Sequence, residues 1–337
     1  MNPSASPARH ARTPRRPIRV GVVASLAVVA SLVLGSTATM TAAVTGQSLF
    51  VAGAPRVLEV QTTVEASATP APVPRAPLPA PAESIPAPTV AAAPAVVALC
   101  TLPDVVSALA AGDDTAAITA AGGAEAFRSA VAAAMGPCVD LGDPGRIWTV
   151  INKTRPLTPV DYRPDSLVVP DGARTTEGGS LRPDAAAAFS AMAGAASAAG
   201  VGEIALESGF RSLTTQEATY GSQASAQGAE DADRTSARPG FSEHQSGLAA
   251  DVVPCGDGCG TLDDLGASAQ GQWILEHAWE FGWITRYEDG FTPITGYSPE
   301  PWHLRYIGPE LARAYHDGGW HTLEEFFGLG PAPGYLG

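Results

Sequence analysis

Phe241 to Val252 reads FSEHQSGLAADV, and it places His244 and Asp251 seven positions apart with small residues between them. Leu248 to Val253, LAADVV, has the composition of a buried strand. A carboxylate inside so apolar a run is costly to bury unless a cation or hydrogen-bond donors meet it. From this stretch alone two accounts stand open. His244 and Asp251 are ligands of one ion, or they are a loop histidine and a strand-end acid bonded to backbone.

The flanking sequence sets the frame. EIALES (Glu203 to Ser208), WHLRYIG (Trp302 to Gly308) and IWTVI (Ile147 to Ile151) read as strands. Leu181 to Gly200 reads as a helix with Pro183 in its first turn and Gly200 at its end. Gly271 to Ile284, GQWILEHAWEFGWI, reads as an amphipathic helix with its tryptophans and Leu275 on one stripe. Helices and strands mix without a strict alternation, which argues an α+β fold.

Of the six histidines, His10 lies in the N-terminal segment, and His277, His316 and His321 read as structural or surface residues. His244 and His303 remain. A catalytic zinc site takes three protein ligands of N or O type and leaves one position open; His244, Asp251 and His303 supply such a set. Glu300, three residues before His303 in EPWH, suits an unligated carboxylate that takes a proton from a metal-activated water and passes it to a leaving amine. Its plain alternative is a turn acid between Pro299 and Pro301. Arg211, in SGFRS directly after EIALES, suits a guanidinium aimed at the negative charge that develops on a carbonyl oxygen. A surface arginine is the plain alternative.

SGFRS with the following Gln216, ARPGFSEHQSGLAADV, FGWITRY and TGYSPEPWHLRYIG together resemble the D-alanyl-D-alanine carboxypeptidases of the VanY type. These are zinc peptidases of bacterial cell-wall peptides, related to the VanX dipeptidases. The resemblance runs from about Trp148 to Phe327, just over half the chain. It implies a single zinc-peptidase domain with a small antiparallel sheet flanked by helices. The family's SxHxxGxAxD motif falls on Ser242, His244, Gly247, Ala249 and Asp251, and its ExxH motif on Glu300 and His303. So matched, the resemblance implies one zinc per chain on His244, Asp251 and His303, Glu300 as general base and then acid, and Arg211 as oxyanion stabiliser. Ser242 and Gln216 match positions lining the substrate pocket. Two departures bear on substrate preference. YSPEPWH lacks a second aromatic that the family more often has before the glutamate, and the PCGDGCG loop follows Asp251 at once.

The implied reaction removes the C-terminal D-alanine from a peptidoglycan stem peptide. An L,D-carboxypeptidase or an endopeptidase would use the same residues with a different pocket. A non-catalytic wall-binding module would be expected to have lost a ligand or the base, and none is missing.

The rest of the chain suits work outside the cytoplasm. Arg9, Arg12, Arg15, Arg16 and Arg19 precede Val20 to Leu34, VGVVASLAVVASLVL, and then small residues. This is an export signal, either cleaved after Ala38 or retained as a membrane anchor across about Ile18 to Ala43. Nine prolines between Pro70 and Pro94 mark an extended, disordered linker. Four cysteines fall as two close pairs, and local disulfides, Cys100–Cys138 and Cys255–Cys259, are the simplest choice in an oxidising compartment. The expected organisation is 1–43 export signal or anchor, 44–98 linker, 99–145 small helical accessory region, and 146–330 peptidase domain. Beyond residue 43 the chain carries 15 basic against 34 acidic side chains. That balance makes nucleic acid an improbable partner, since phosphate binding needs a basic face.

Overall fold

The computed structural model describes residues 97–336. The export segment and nearly all of the linker expected from the sequence lie outside the described residues. Three short helices come first: α1 (Pro103–Ala111), α2 (Asp114–Ala120) and α3 (Ala124–Ala132). Pro103 opens α1, Gly112 closes it in the left-handed region, and the Asp113 side chain accepts the Ala116 amide to start α2. Cys100 is bonded to Cys138 and Cys255 to Cys259. These helices do not form a core of their own. Val105, Ile118 and Phe127 belong to the same buried cluster as Trp148, Phe189 and Trp283.

The order continues with α4 (Pro183–Ala198), β1 (Glu203–Ser208), α5 (Leu213–Gln227), α6 (Ala229–Thr235), β2 (Ala249–Cys255), α7 (Leu262–Leu265) and α8 (Ala269–His277). It closes with β3 (Trp283–Tyr287), α9 (Thr292–Thr295), β4 (Glu300–Tyr306), α10 (Pro309–Asp317) and α11 (Leu323–Phe326). The four strands form one antiparallel sheet in the order β1-β2-β4-β3. The fold is α+β, a small antiparallel sheet among helices. β2 lies in the middle, buried from Ala249 to Val253. That is why its sequence runs apolar rather than alternating.

Three sequence readings need correction. IWTVI is not a strand. Its residues are buried, but the Ile147 and Thr149 carbonyls accept hydrogen bonds from the Arg305 guanidinium, and the Val150 amide donates to Leu141, so no ladder forms. The segment 271–284 is not one helix. α8 ends at His277, a 3-10 turn follows over Ala278–Phe281, and Gly282 at φ +86° turns the chain so that Trp283 and Ile284 enter β3. Leu275 is 53% exposed and does not share the buried stripe. The last strand begins earlier than expected, at Glu300, which places the acid of EPWH within the sheet.

Two irregularities shape the face that carries the polar residues. Asp251 on β2 pairs with His303 on β4 and with Ser208 on β1. Glu207 is the extra residue that a bulge leaves unpaired on β1, between Leu206 and Ser208. On the other side, Thr285 pairs with Leu304 but Tyr287 pairs with Glu300, so β4 holds extra residues around Pro301 and Trp302. In a regular strand, residues three apart point to opposite faces. The bulge removes that alternation and lets Glu300 and His303 meet.

Candidate active site

His244 lies in a 3-10 turn, Glu243–Ser246, whose four residues are all buried. Gly247, at φ +72°, ends that turn and delivers the chain into β2. The loop after β1 closes on this turn. The Arg211 amide donates to the His244 carbonyl at 3.3 Å, and His244 Nδ1 lies 2.7 Å from the Gly209 carbonyl oxygen. A side chain at 209 would not fit, because its Cβ would stand 2.4 Å from the Ser180 oxygen.

The hydrogen bonds fix where the lone pairs point. Nδ1 of His244 donates to Gly209, so in the neutral ring Nε2 carries the lone pair. That Nε2 lies 3.1 Å from Asp251 Oδ2 and has no hydrogen-bond partner among the described residues. His303 Nε2 donates to Glu243 Oε2 at 3.2 Å, which turns the Nδ1 lone pair toward Asp251 Oδ1, also 3.2 Å away. Asp251 Oδ1 likewise lacks a partner. Acceptors therefore face acceptors, and donor atoms of His244, Asp251 and His303 lie within 4.8 Å of one another. Such a set fits a cation, and the residue types fit an N/O-ligated divalent metal. Asp251 is held well below the usual carboxylate range: burial opposes this, but His244 and His303 outweigh burial. Burial, with Arg211, lowers His244. Burial would also lower His303, but the Asp251 and Glu243 carboxylates beside its ring prevail and raise it to about 9.

Glu300 Oε2 stands 3.7 Å from His303 Nδ1, and burial pushes its pKa up to about 8, partly offset by His303. Arg211 reaches within 3.7 Å of Asp251 Oδ2 with its side chain a quarter exposed. All five side chains line one cleft of about 450 Å³. Its apolar wall is Tyr287, Tyr297, Trp302 and Leu262, and its neutral polar wall includes Ser236, Ser242, Gln223 and Gln227. Arg211 is the one lysine or arginine among these lining residues. Gln216 does not line the cleft. It is buried behind the polar wall, where Nε2 donates to the Ala237 carbonyl and to Ser236 Oγ. His277 is half-buried and His316 and His321 are exposed; they pair with Glu280, Asp317 and Glu288, away from the cleft.

Beneath the site lies a buried ionic cluster. Glu243 Oε1 accepts from Arg286 Nε at 3.0 Å and Arg305 Nη1 at 2.8 Å. Arg286 forks onto Glu324 with two bonds, and Asn152 Nδ2 donates to the same carboxylate. Two carboxylates and two guanidiniums balance. The sequence did carry a signal for it. Arg286 and Arg305 each sit inside an apolar strand, as Asp251 does.

Residues 178–309 match the family model for VanY, D-alanyl-D-alanine carboxypeptidase. YodJ of Bacillus subtilis (strain 168), assigned as a carboxypeptidase, is 37% identical over 191 residues, which are 56% of this chain and 69% of that protein. The chain belongs to the VanY family of peptidases. The D-alanyl-D-alanine carboxypeptidase of Enterococcus faecium is 38% identical over 120 residues, but these are only 36% of this chain and 35% of that one. Among solved structures, the LD-carboxypeptidase LdcB aligns at 37% identity with a TM-score of 0.51, over 55% of this chain and 86% of that one. Arg211, His244, Asp251, Glu300 and His303 all fall inside the VanY match. As a VanY-family chain the protein is a hydrolase acting on peptides.

Proposed function

We propose that the protein is a zinc-dependent carboxypeptidase that removes the terminal D-alanine from peptidoglycan stem peptides ending in D-Ala-D-Ala. The observation that carries this is the convergence of His244 Nε2 and Asp251 Oδ1, both without a hydrogen-bond partner among the described residues, with His303 Nδ1 beside the buried Glu300. His244, Asp251 and His303 would hold one zinc ion per chain, which when bound would supply Lewis acidity at the scissile carbonyl and lower the pKa of water toward about 7.

Glu300 takes the proton from the attacking water and delivers it to the leaving amine of D-alanine, so that one carboxylate serves as base and then acid. Its burial suits both halves of that cycle, because a carboxylate in an apolar setting holds a proton more readily than one in water. Arg211, on the loop after β1, offers a guanidinium to the oxyanion. Ser242 presents its hydroxyl to the terminal carboxylate. Gln216 acts through the wall it braces and does not touch the substrate. Export by the N-terminal segment, cleaved or retained as an anchor, places the enzyme on the outer side of the membrane.

A second reading has its own support. LdcB, which aligns over most of its length, is by name an LD-carboxypeptidase. On that reading the protein trims tetrapeptides, using the same residues on a different bond. Stem pentapeptide and tetrapeptide supplied together, with products read by mass, decide between them. Loss of one alanine from the pentapeptide alone supports the D,D reading. Trimming of the tetrapeptide alone overturns it in favour of L,D. Glu300→Gln must abolish whichever product forms, and undiminished turnover by that variant would refute the mechanism for both.

A further inference from the structure

Glu243 adjoins the ligand His244 in sequence, yet its side chain serves the other histidine. It is fully buried and spends its two oxygens differently. Oε1 takes both guanidinium donors, from Arg286 and Arg305, and Oε2 takes only His303 Nε2. The arginines are themselves pinned. Arg286 is forked onto Glu324, and Arg305 donates to the carbonyls of Ile147, Thr149 and Tyr306. The carboxylate therefore has no freedom to rotate away from His303. Across β2 and β4, Asp251 faces His303 from the opposite side in direct register.

We infer that Glu243 is a positioning residue for the metal site: it holds His303 in the Nε2–H tautomer, so that Nδ1 presents its lone pair beside Asp251. This rests on the metal-site reading proposed above and adds to it the group that selects the ligating nitrogen. An acceptor on the far side of a ligating imidazole fixes both tautomer and ring orientation. The two arginines keep Glu243 ionised in a buried setting, and Glu324 balances the second positive charge. A glutamine at 243 could not replace it. With its single oxygen toward the arginines, its NH2 would face His303 Nε2 and drive the ring proton onto Nδ1, the atom aimed at Asp251. Turned the other way, the NH2 would face two guanidinium donors.

The test uses the full zinc-loaded protein and Zn2+ in competition with a chromogenic chelator. Glu243→Gln should weaken zinc binding by about 10- to 100-fold. Glu324→Gln removes an equally buried charge from the same cluster but keeps an acceptor for Arg286 and touches neither histidine, so it should lose stability while its zinc affinity falls far less than that of Glu243→Gln. Wild-type zinc affinity in Glu243→Gln, or an equal loss in both variants, would overturn the inference. The second outcome would mean that the cluster is merely structural. Should Glu243→Gln not fold, nitrogen-15 NMR of the zinc-loaded wild type decides. A His303 Nε2 proton that exchanges slowly with water supports the inference, and zinc on Nε2 or a freely exchanging proton refutes it. A wild-type protein that binds no zinc at all would sink the metal-site reading itself, which is a separate result.

Discussion

Glu300 and Arg211 are the two residues whose proposed work is chemical rather than structural, and each can be removed without breaking a ladder bond of the sheet. Glu300→Gln keeps the shape of the side chain but cannot shuttle a proton, so kcat should fall by about a hundred- to ten-thousand-fold while zinc content stays at the wild-type level. Arg211→Ala removes one donor to the oxyanion and should cost about a hundred- to a thousand-fold in kcat. Both are read by D-alanine release under saturating peptide. Equal KM and kcat in Arg211→Ala and wild type would show that this guanidinium does not reach the reacting carbonyl. Asp251 shows why a single residue could betray the site. From LAADVV alone a strand-end acid bonded to backbone stays open, and the structure decides against it by leaving Oδ1 without a hydrogen-bond partner among the described residues. Gln216 shows the opposite. Its place in the pattern suggested the pocket, but a side chain's direction follows from the helix it sits on, and α5 turns it into the wall.

At the level of elements, β2 and β4 do most of the positioning, and the ionic cluster holds them to the segments beneath. Arg286→Met would leave Glu243 and Glu324 short of a buried counter-charge and should destabilise the fold by about 3–5 kcal/mol in urea unfolding. A change near zero would show that these buried charges relax to water. The same cluster sets an acid limit. Burial works to raise the Glu243 pKa, but Arg286, Arg305 and the His303 bond outweigh it and hold it well below the usual range. A depressed pKa contributes stability above the unfolded value, about 4.3, and loses it only as pH falls through the folded one. The cluster should therefore survive titration through pH 4 and fail in stronger acid. Arg286→Met should unfold at a higher pH than wild type, as followed by circular dichroism. β1 and the core of β2 were legible because EIALES and LAADVV are short apolar runs of strand length, each holding β-branched Ile or Val. IWTVI looked the same and is irregular, since what pairs its carbonyls is the remote Arg305 side chain, which local sequence does not announce. The bulge at Pro301 and Trp302 was equally hidden, yet the ExxH spacing works on a strand only because of it. The helices α5 and α6 were missed because they are polar and bury little beyond Gln216 and Ala232.

Across the whole molecule, residues 99–145 share one core with the peptidase sheet, so the accessory helices are part of the same cooperative structure. The Cys100–Cys138 bond closes a 38-residue separation at its edge. Replacing both cysteines by alanine should lower stability by about 2–4 kcal/mol and leave D-alanine release at 25 °C near wild type, since neither cysteine lines the cleft. Loss of activity in the folded double variant would tie these helices to the site. Metal joins the two scales, because an ion bound only by the folded chain stabilises it by mass action, about 4 kcal/mol at a thousandfold excess over Kd. The most direct test of the account is a zinc titration of chelator-treated protein, with D-alanine release from stem pentapeptide measured at each addition. The account predicts release that rises in proportion to added zinc and levels off at one ion per chain. Full release before any zinc is added, or a plateau that ignores the metal, would contradict it.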